Sequence, residues 1–592
     1  MANTHQTPDH RDVDVFIAGG GTGGFAAALA AAQAGCTVVV SEPTDWLGGQ
    51  LTAQGVSAPD EHQYIETCGG TRSYYAFRNA IREYYKTNYQ LSDQAKKAKY
   101  LNPGLGWVSR LCFEPKVGVK VLGDMLAPYT DTGQVKVLYR SVPVRVEREA
   151  RQITAVAVQH LVTEAITHVT AKVFLDATEL GDLMPLAQVP FHMGMESWEQ
   201  TGEPSAPPEG NREAIQSFTY TFAVEYCPGE NHVIAKPALY DQMKRAYSFR
   251  GYKMFEPSTL FANPFWTYRR LIAADNFADP AFPRDIAMIN WASNDYTGGN
   301  IVGVPPALQE ERLNEAKQLS LGFLYWLQTA APRDDGGSGY PELKLRPDIM
   351  GTADGLSQYP YIREGRRLAA IEIVREQDLV VRYNPGPRAR LMTDTVGLGL
   401  YTYIDVHHCC NTSLRPGSGQ HIRPFQIPLR SLLTHNAANF IAAAKNIGVT
   451  HITNGAFRLH PTEWCIGEAA GTLAAFAVQT GKQPLAVGLD SQLLRQYQLR
   501  LVQRGVPLYW YTDVPYTHPA FEAIHYLGAL RICDGIDDTL HFVPDEAING
   551  ELAKRWCKNA GVDLISNERA LTRAEYAVKL YQALQAKEAA AR

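Results

Sequence analysis

No apolar run in the 592 residues approaches the roughly 18 needed to cross a bilayer, so a membrane-spanning helix is not expected. Positive charge is not in surplus either. The 56 Lys and Arg stand against 61 Asp and Glu, a formal net charge of −5, which argues against a nucleic-acid partner. The nine cysteines are scattered and none forms a CxxC pair. That spacing excludes a disulfide scaffold and a structural zinc, and no metal site is expected. The opening MANTHQTPDHRD is polar, with no secretory pattern. Reduced thiols and the missing leader make the cytoplasm the expected location. The sequon Asn411-Thr412-Ser413 therefore carries little weight.

What the chain does hold is a glycine fingerprint near its start. Val13 to Ala18 is short, apolar and β-branched, the pattern of a buried parallel strand. GGGTGG follows and fits GxGxxG with Gly19, Gly21 and Gly24, and then an alanine-rich helix runs from Phe25 to Ala34. A second buried strand, Thr37 to Ser41, ends at Glu42. Each residue has a physical task. Gly19 permits the tight turn, Gly21 lets backbone approach a pyrophosphate, and Gly24 allows close helix–strand packing. Free N–H groups at the helix start favour the phosphate charge, and Glu42 accepts from ribose hydroxyls. Strand, helix, strand and acid at this spacing predict a dinucleotide site.

The next segment narrows the choice of dinucleotide. Gly48 and Gly49 lie just past the second strand, where backbone N–H groups reach a ribityl or phosphate group of FAD. Residues 135–175 read as successive strands, and the last runs into Asp176-Ala177-Thr178-Glu179-Leu180-Gly181-Asp182. That small-residue turn is a second place for backbone to approach a cofactor, with Asp176, Thr178 and Asp182 as candidates. From about 215 to 395 the pattern turns aromatic and irregular, as in an inserted substrate domain. Asn439 to Ala444 then reads as a strand, and Glu463 to Thr480 as a helix capped by Thr462, with Gly481 after its end. This helix is rich in glycine and alanine. Its bare face is expected to lie against the flat flavin, with Thr462 and Glu468 near the cofactor.

On these residues the chain resembles the FAD-dependent oxidoreductase family, whose FAD domain is of the glutathione-reductase type. The matching pieces are GGGTGG (19–24), WLGGQLT (46–52), CGGTRSYYAFRNAIR (68–82), FLDATELGDL (174–183), YPYIREGRRL (359–368), DVHHC (405–409) and RLHPTEWCIGEAAG (458–471). The resemblance implies bound FAD and redox chemistry on a small molecule. The expected architecture is α/β: a three-layer Rossmann-like FAD-binding domain from 13–200 and 396–485, an inserted mixed α/β substrate domain at 201–395, and a helical C-terminal tail at 486–592. The tail segments 511–515, 518–524 and 571–577 resemble a degenerate S-layer homology module, of which Ile532 to Ile536 keeps only part of a glycine turn. A helical cap is the preferred reading of the tail.

The protein must supply orientation and proton handling to such a cofactor. Histidine is the usual proton carrier near neutral pH. His407 and His408 sit in the DVHH segment, His460 just before the small-residue helix, and His62 in the loop after the second glycine pair. Arg363, Arg366 and Arg367 flank Glu364, an arrangement that can clamp a carboxylate, so the substrate is expected to be an acid with Arg366 among its ligands. The expected activity is two-electron oxidation or reduction of a small organic molecule, with hydride transfer at flavin N5 and an electron acceptor left open. Two rivals stand beside it. An NAD(P)H-dependent flavin monooxygenase is weakened by the lack of a second clear GxGxxG. The other is a non-catalytic wall-binding or scaffold protein with a vestigial FAD fold.

Overall fold

The computed structural model describes residues 9–250, 253–258, 262–535, 539–564 and 571–590. The β-branched runs form the centre of a parallel sheet. Strand β1 (Asp9–Ala18) leads into helix α1 (Thr22–Gln33), and β2 (Val38–Ser41) returns parallel to β1 with Ala18 beside Ser41. Strand β3 (Val135–Leu138) extends the sheet beyond β2. Strands β4 (Ser141–Glu149), β5 (Gln152–His160) and β6 (Ile166–Asp176) then form an antiparallel meander.

Strand β6 joins the two ends of the chain. It runs parallel to β1 over its length, and its last residues Phe174 to Asp176 also pair with β7 (Phe440–Ala442). The carboxyl ends of β1, β6 and β7 therefore lie side by side, where ligands of open α/β sheets bind. The fold is the α/β, Rossmann-like architecture expected.

Two helices meet beside the sheet, with Tyr74 of one against Trp464 of the other. Helix α2 (Arg72–Asn88) is capped by Thr71, whose hydroxyl accepts from the Tyr74 N–H. Helix α3 (His460–Thr480) crosses α1 so closely that a Cβ on Gly467 would strike the Gly23 backbone, and one on Gly471 the Ala27 backbone. The bare face of α3 thus packs on α1, where glycine lets the two backbones meet, and not on a flat ligand. The helix starts earlier than expected: Leu459 is its N-cap, and Thr462 lies inside the first turn.

The insertion has its own core. Its antiparallel sheet runs in the order Leu343–Leu345, Phe222–Tyr226, Ile286–Ile289, Arg270–Ile272. Helix Pro306–Thr329 covers it, burying Leu319, Phe323 and Leu327 with Phe222 and Val224.

The C-terminal segment is helical, with helices Ser491–Gln503, Phe521–Ala529, Gly550–Ala560 and Arg573–Ala590. It is tied to the segment before it. The buried Trp510 indole donates to Phe425 O at 2.9 Å, and Arg388 donates to Trp510 O while lying over the Tyr509 ring. Ile536 of the degenerate glycine turn lies outside the described residues. Among the described residues no helix is long and apolar enough to cross a membrane.

Candidate active site

Backbone builds the first half of the site. Gly19 takes φ +90°, with the Ala177 carbonyl filling the place of a side chain, and Gly24 packs on the Gly19 carbonyl. Gly48 and Gly49 take φ +108° and +55°. The two glycine loops are stitched together: the Gly48 N–H donates to Gly20 O at 2.8 Å, and Thr22 Oγ1 donates to Gly48 O at 2.9 Å. Glu42 closes the far end, accepting from the Gly20 N–H at 3.1 Å and from the Thr44 N–H and hydroxyl at 2.9 and 2.6 Å. Burial pushes its carboxyl up to about 7.

Asp176 shapes the facing turn. Its two oxygens accept from Thr178 N–H and Oγ1 and from the Leu183 and Met184 N–H groups, and burial pushes it up to about 7. Between these loops lies a cavity of about 510 Å³, lined by Gly19, Gly21, Glu42, Gly49, Thr178 and Asp182 among others.

Several buried polar atoms on the loops and helix of this region have no hydrogen-bond partner in the chain: Ser41 Oγ, Gln50 Oε1, Thr462 Oγ1 and Glu463 Oε1. Buried polar groups are ordinarily satisfied. A long polar cofactor against the glycine backbones satisfies that requirement, so the residues present fit FAD.

The arginines of the REGRR segment diverge. Arg366 lines the dinucleotide cavity and donates to Leu180 O and Asp182 Oδ1 at 3.0 and 2.8 Å. Arg363 donates to Asp295 Oδ1 at 2.9 Å, and Arg367 pairs with Glu364 and Glu196. Three arginines with three separate partners form no joint carboxylate clamp, and that expectation is withdrawn. Glu468 also lies elsewhere: it binds the Ser73 hydroxyl and sits 3.8 Å from Arg504.

The four candidate histidines separate sharply. His460 is buried with both ring nitrogens engaged by backbone: Nδ1 accepts from the Asp60 N–H at 3.0 Å, and Nε2 contacts Val56 O at 3.1 Å. Burial pushes its pKa down to about 4. It ties the 56–60 loop to α3 and has no nitrogen left to carry a substrate proton. His62 is buried edge-on to Trp510, and burial with Arg78 pushes it down to about 3. Its Nδ1 accepts from the Tyr64 N–H at 3.2 Å, and the ring lines a pocket with Tyr64 and Tyr401, apart from the dinucleotide cavity. The His408 side chain is exposed, and its backbone carbonyl accepts from the Ser217 N–H.

His407 is held differently. Its Nδ1 lies 3.2 Å from Asp295 Oδ2, and its Nε2 lies 3.4 Å from Asp405 Oδ2, with 29% of the side chain open to solvent. Both carboxylates are balanced by buried arginines. Arg363 pairs with Asp295 at 2.9 Å, and Arg458 donates to Asp405 at 2.7 Å. Burial works to raise both acids, but Arg363 and His407 overcome it at Asp295, and His407 and Arg458 at Asp405. Both carboxyls are held well below their usual range. Donor atoms of Asp295, His407 and His408 lie within 4.8 Å of one another, but the Arg363 guanidinium already supplies the positive charge that Asp295 needs.

Arg458 connects the two halves. Its guanidinium donates to the Tyr361 hydroxyl at 3.0 Å, and its backbone carbonyl accepts from Gln50 Nε2 at 3.2 Å. Gln50 also binds Glu463, which lies 3.6 Å from the buried Lys445 Nζ. A third balanced pair, Asp60 with Arg269 at 2.9 Å, stands beside His460.

Asp295, Asp405, Arg458, Asp60, Arg269 and Lys445 form ion pairs in this region, and sequence reasoning singled out none of them. Polar residues inside buried, motif-like stretches were the available signal: Asp405 opens DVHH, and Arg458 opens RLHPTEW.

Comparison with known proteins agrees with this geometry. The FAD dependent oxidoreductase family model matches residues 14–501, most of the chain. The protein belongs to that family, and FAD is its cofactor. No curated protein matches the chain. Among solved structures it is similar to a geranylgeranyl bacteriochlorophyll reductase-like protein from Thermoplasma acidophilum, at 11% identity over 93% of this chain and 97% of that one, with a TM-score of 0.29. A p-nitrophenol 4-monooxygenase from Pseudomonas putida DLL-E4 shares 13% identity over 62% and 70%, TM-score 0.26. L-proline dehydrogenase from P. horikoshii shares 18% over 29% of this chain and 24% of that one, TM-score 0.17. The chain thus spans about a quarter of that dehydrogenase. None of these likenesses bears on the reaction.

Proposed function

We propose that this FAD-dependent oxidoreductase oxidises a neutral, hydroxyl-bearing small molecule, with His407 as the proton acceptor. The observation that carries the reading is the charge balance around His407. The arginines of the cluster are matched one to one, Arg363 with Asp295, Arg458 with Asp405 and Arg269 with Asp60. A carboxylate substrate would meet no unpaired cation there, and burying its charge uncompensated is unfavourable. A hydroxyl group is suited to the same surroundings, since it donates to histidine or carboxylate and accepts from arginine or tyrosine.

In the neutral form of His407, Asp295 accepts a hydrogen bond from Nδ1–H, the tautomer that leaves the Nε2 lone pair as the proton acceptor. The contact from Nε2 to Asp405 is the longer of the two. Nε2 takes the hydroxyl proton as the carbon becomes a carbonyl, and both carboxylates stabilise the resulting imidazolium. FAD, held between the two glycine loops, would supply the two-electron acceptor for the substrate's hydride. Gln50 and Arg458 hold the proton-handling cluster against the cofactor cradle.

The test is anaerobic bleaching of the flavin by a panel of neutral polyols and sugars set against 2-hydroxy acids. Bleaching by a neutral member, lost in His407→Asn at unchanged flavin content, supports the reading. Bleaching by acids alone contradicts it, and rapid bleaching by NADPH alone replaces it with the monooxygenase.

A further inference from the structure

A carboxylate stands in the glycine cradle itself. Glu179 lies in the turn after β6. A Cβ on Gly21 would come within 2.6 Å of its Oε1, and one on Gly49 within 2.8 Å. These are two of the glycines whose missing side chains open the cradle to a diphosphate. Oε1 is buried and has no hydrogen-bond partner. The other oxygen, Oε2, pairs with Lys445 Nζ. Lys445 is buried on the loop after β7 and lies 3.6 Å from Glu463 as well. Burial opposes its charge, but Glu179 and Glu463 outweigh that penalty and keep it an ammonium.

The cradle thus holds an acceptor-only group where an anion has to bind. Two like charges in one buried site repel, and an unpaired carboxylate oxygen beside glycine backbones gains nothing from staying there. Its partner Lys445 explains why the acid is tolerated beside the glycines: without Glu179, the buried ammonium would keep only Glu463, at longer range.

We propose that Glu179 is a displaceable counter-anion, neutralising Lys445 in the flavin-free protein and yielding the cradle to the diphosphate when FAD binds. The inference rests on the placement of FAD between the two glycine loops. It makes Glu179 a residue that weakens cofactor affinity while supporting the empty fold.

The experiment is a titration of the deflavinated full-length protein with FAD, followed by quenching of flavin fluorescence, for wild type, Glu179→Gln and Glu179→Ser. Inorganic pyrophosphate serves as a competing probe of the cradle alone. Removing a like charge from a buried site should tighten FAD binding about tenfold in both variants. Pyrophosphate should compete more strongly in both, and the melting temperature should fall in the flavin-free form only. Weaker or unchanged FAD binding in both variants overturns the proposal, since Glu179 would then be a ligand of the cofactor or a bystander. If one variant fails to fold, the other decides. Wild type that takes up no FAD and ignores pyrophosphate overturns both the placement of the cofactor and this inference. Wild type that binds FAD beside variants that bind no tighter overturns this inference alone.

Discussion

The cofactor cradle works with backbone, whereas the His407 cluster works with side chains. In the cradle, the decisive residues are glycines a few positions apart, and what they contribute is the absence of a Cβ at Gly19, Gly21, Gly24 and Gly49. In the cluster, Asp295 comes from the loop after strand Ile286–Ile289, Asp405 and His407 from a segment more than a hundred residues on, and Arg458 from the turn before α3. The first half depends on local conformation and tolerates no added volume. The second depends on long-range charge balance. Loading of flavin and turnover of substrate are therefore separable by mutation.

The largest expected effect falls on the cradle. Gly21→Val places side-chain atoms where backbone must meet the diphosphate and should abolish bound flavin, read as absorbance per chain. A fully yellow variant would dissolve the contrast between the two halves. Next, His407→Asn keeps a neutral side chain of related shape but removes the base. It should slow flavin reduction by about 10²–10⁴-fold with flavin content intact. Third, Asp295→Asn leaves the buried Arg363 without its counter-charge, as both side chains are nearly inaccessible at 1% and 2%. Breaking such a pair costs about 3–5 kcal/mol, measurable by denaturant unfolding.

A pH experiment sharpens the comparison further. Glu42 and Asp176 of the cradle have carboxyls raised by burial to about 7, against about 4 in an unfolded chain. A raised carboxyl favours the folded state below its unfolded pKa. That stabilisation is lost as pH rises through the folded value, so the flavin-free protein should lose stability between about pH 4 and 7. Glu42→Gln should flatten part of this slope in thermal melts. Asp295 and Asp405 of the cluster are lowered, so their stabilisation is present above about pH 4 and is lost only on further acidification. The smallest effect belongs to Arg366→Ala, which removes one wall of the cavity and its bond to Asp182. It should weaken FAD binding about fivefold, or about 1 kcal/mol, without changing substrate preference.

The same contrast explains what was legible in the sequence. GGGTGG, the strand ending at Glu42 and the turn after Asp176 are local patterns, and the structure brings all three to one cavity. The pairing of β6 with both β1 and β7 was not legible, because strand order depends on contacts between segments far apart in the chain. The histidines were legible only as a set, because a ring's task depends on what reaches its two nitrogens. His460 received two backbone contacts and His407 two carboxylates, and the groups that reach them come partly from sequence positions far away. The arginine trio misled for a related reason. Neighbours in an irregular chain need not point one way, and Arg363, Arg366 and Arg367 each found a different acid. The glycine and alanine face of α3 looked like a bed for a ring system, yet the same absence of bulk serves equally to seat α1.

The most direct test takes a single preparation of His407→Asn and measures bound flavin per chain and the anaerobic rate of flavin reduction by the best neutral polyol of the panel. Full flavin occupancy with reduction slowed by at least about a hundredfold is the predicted result. Unchanged reduction at full occupancy would contradict the assignment of His407, and loss of flavin would contradict the separation of cradle from cluster.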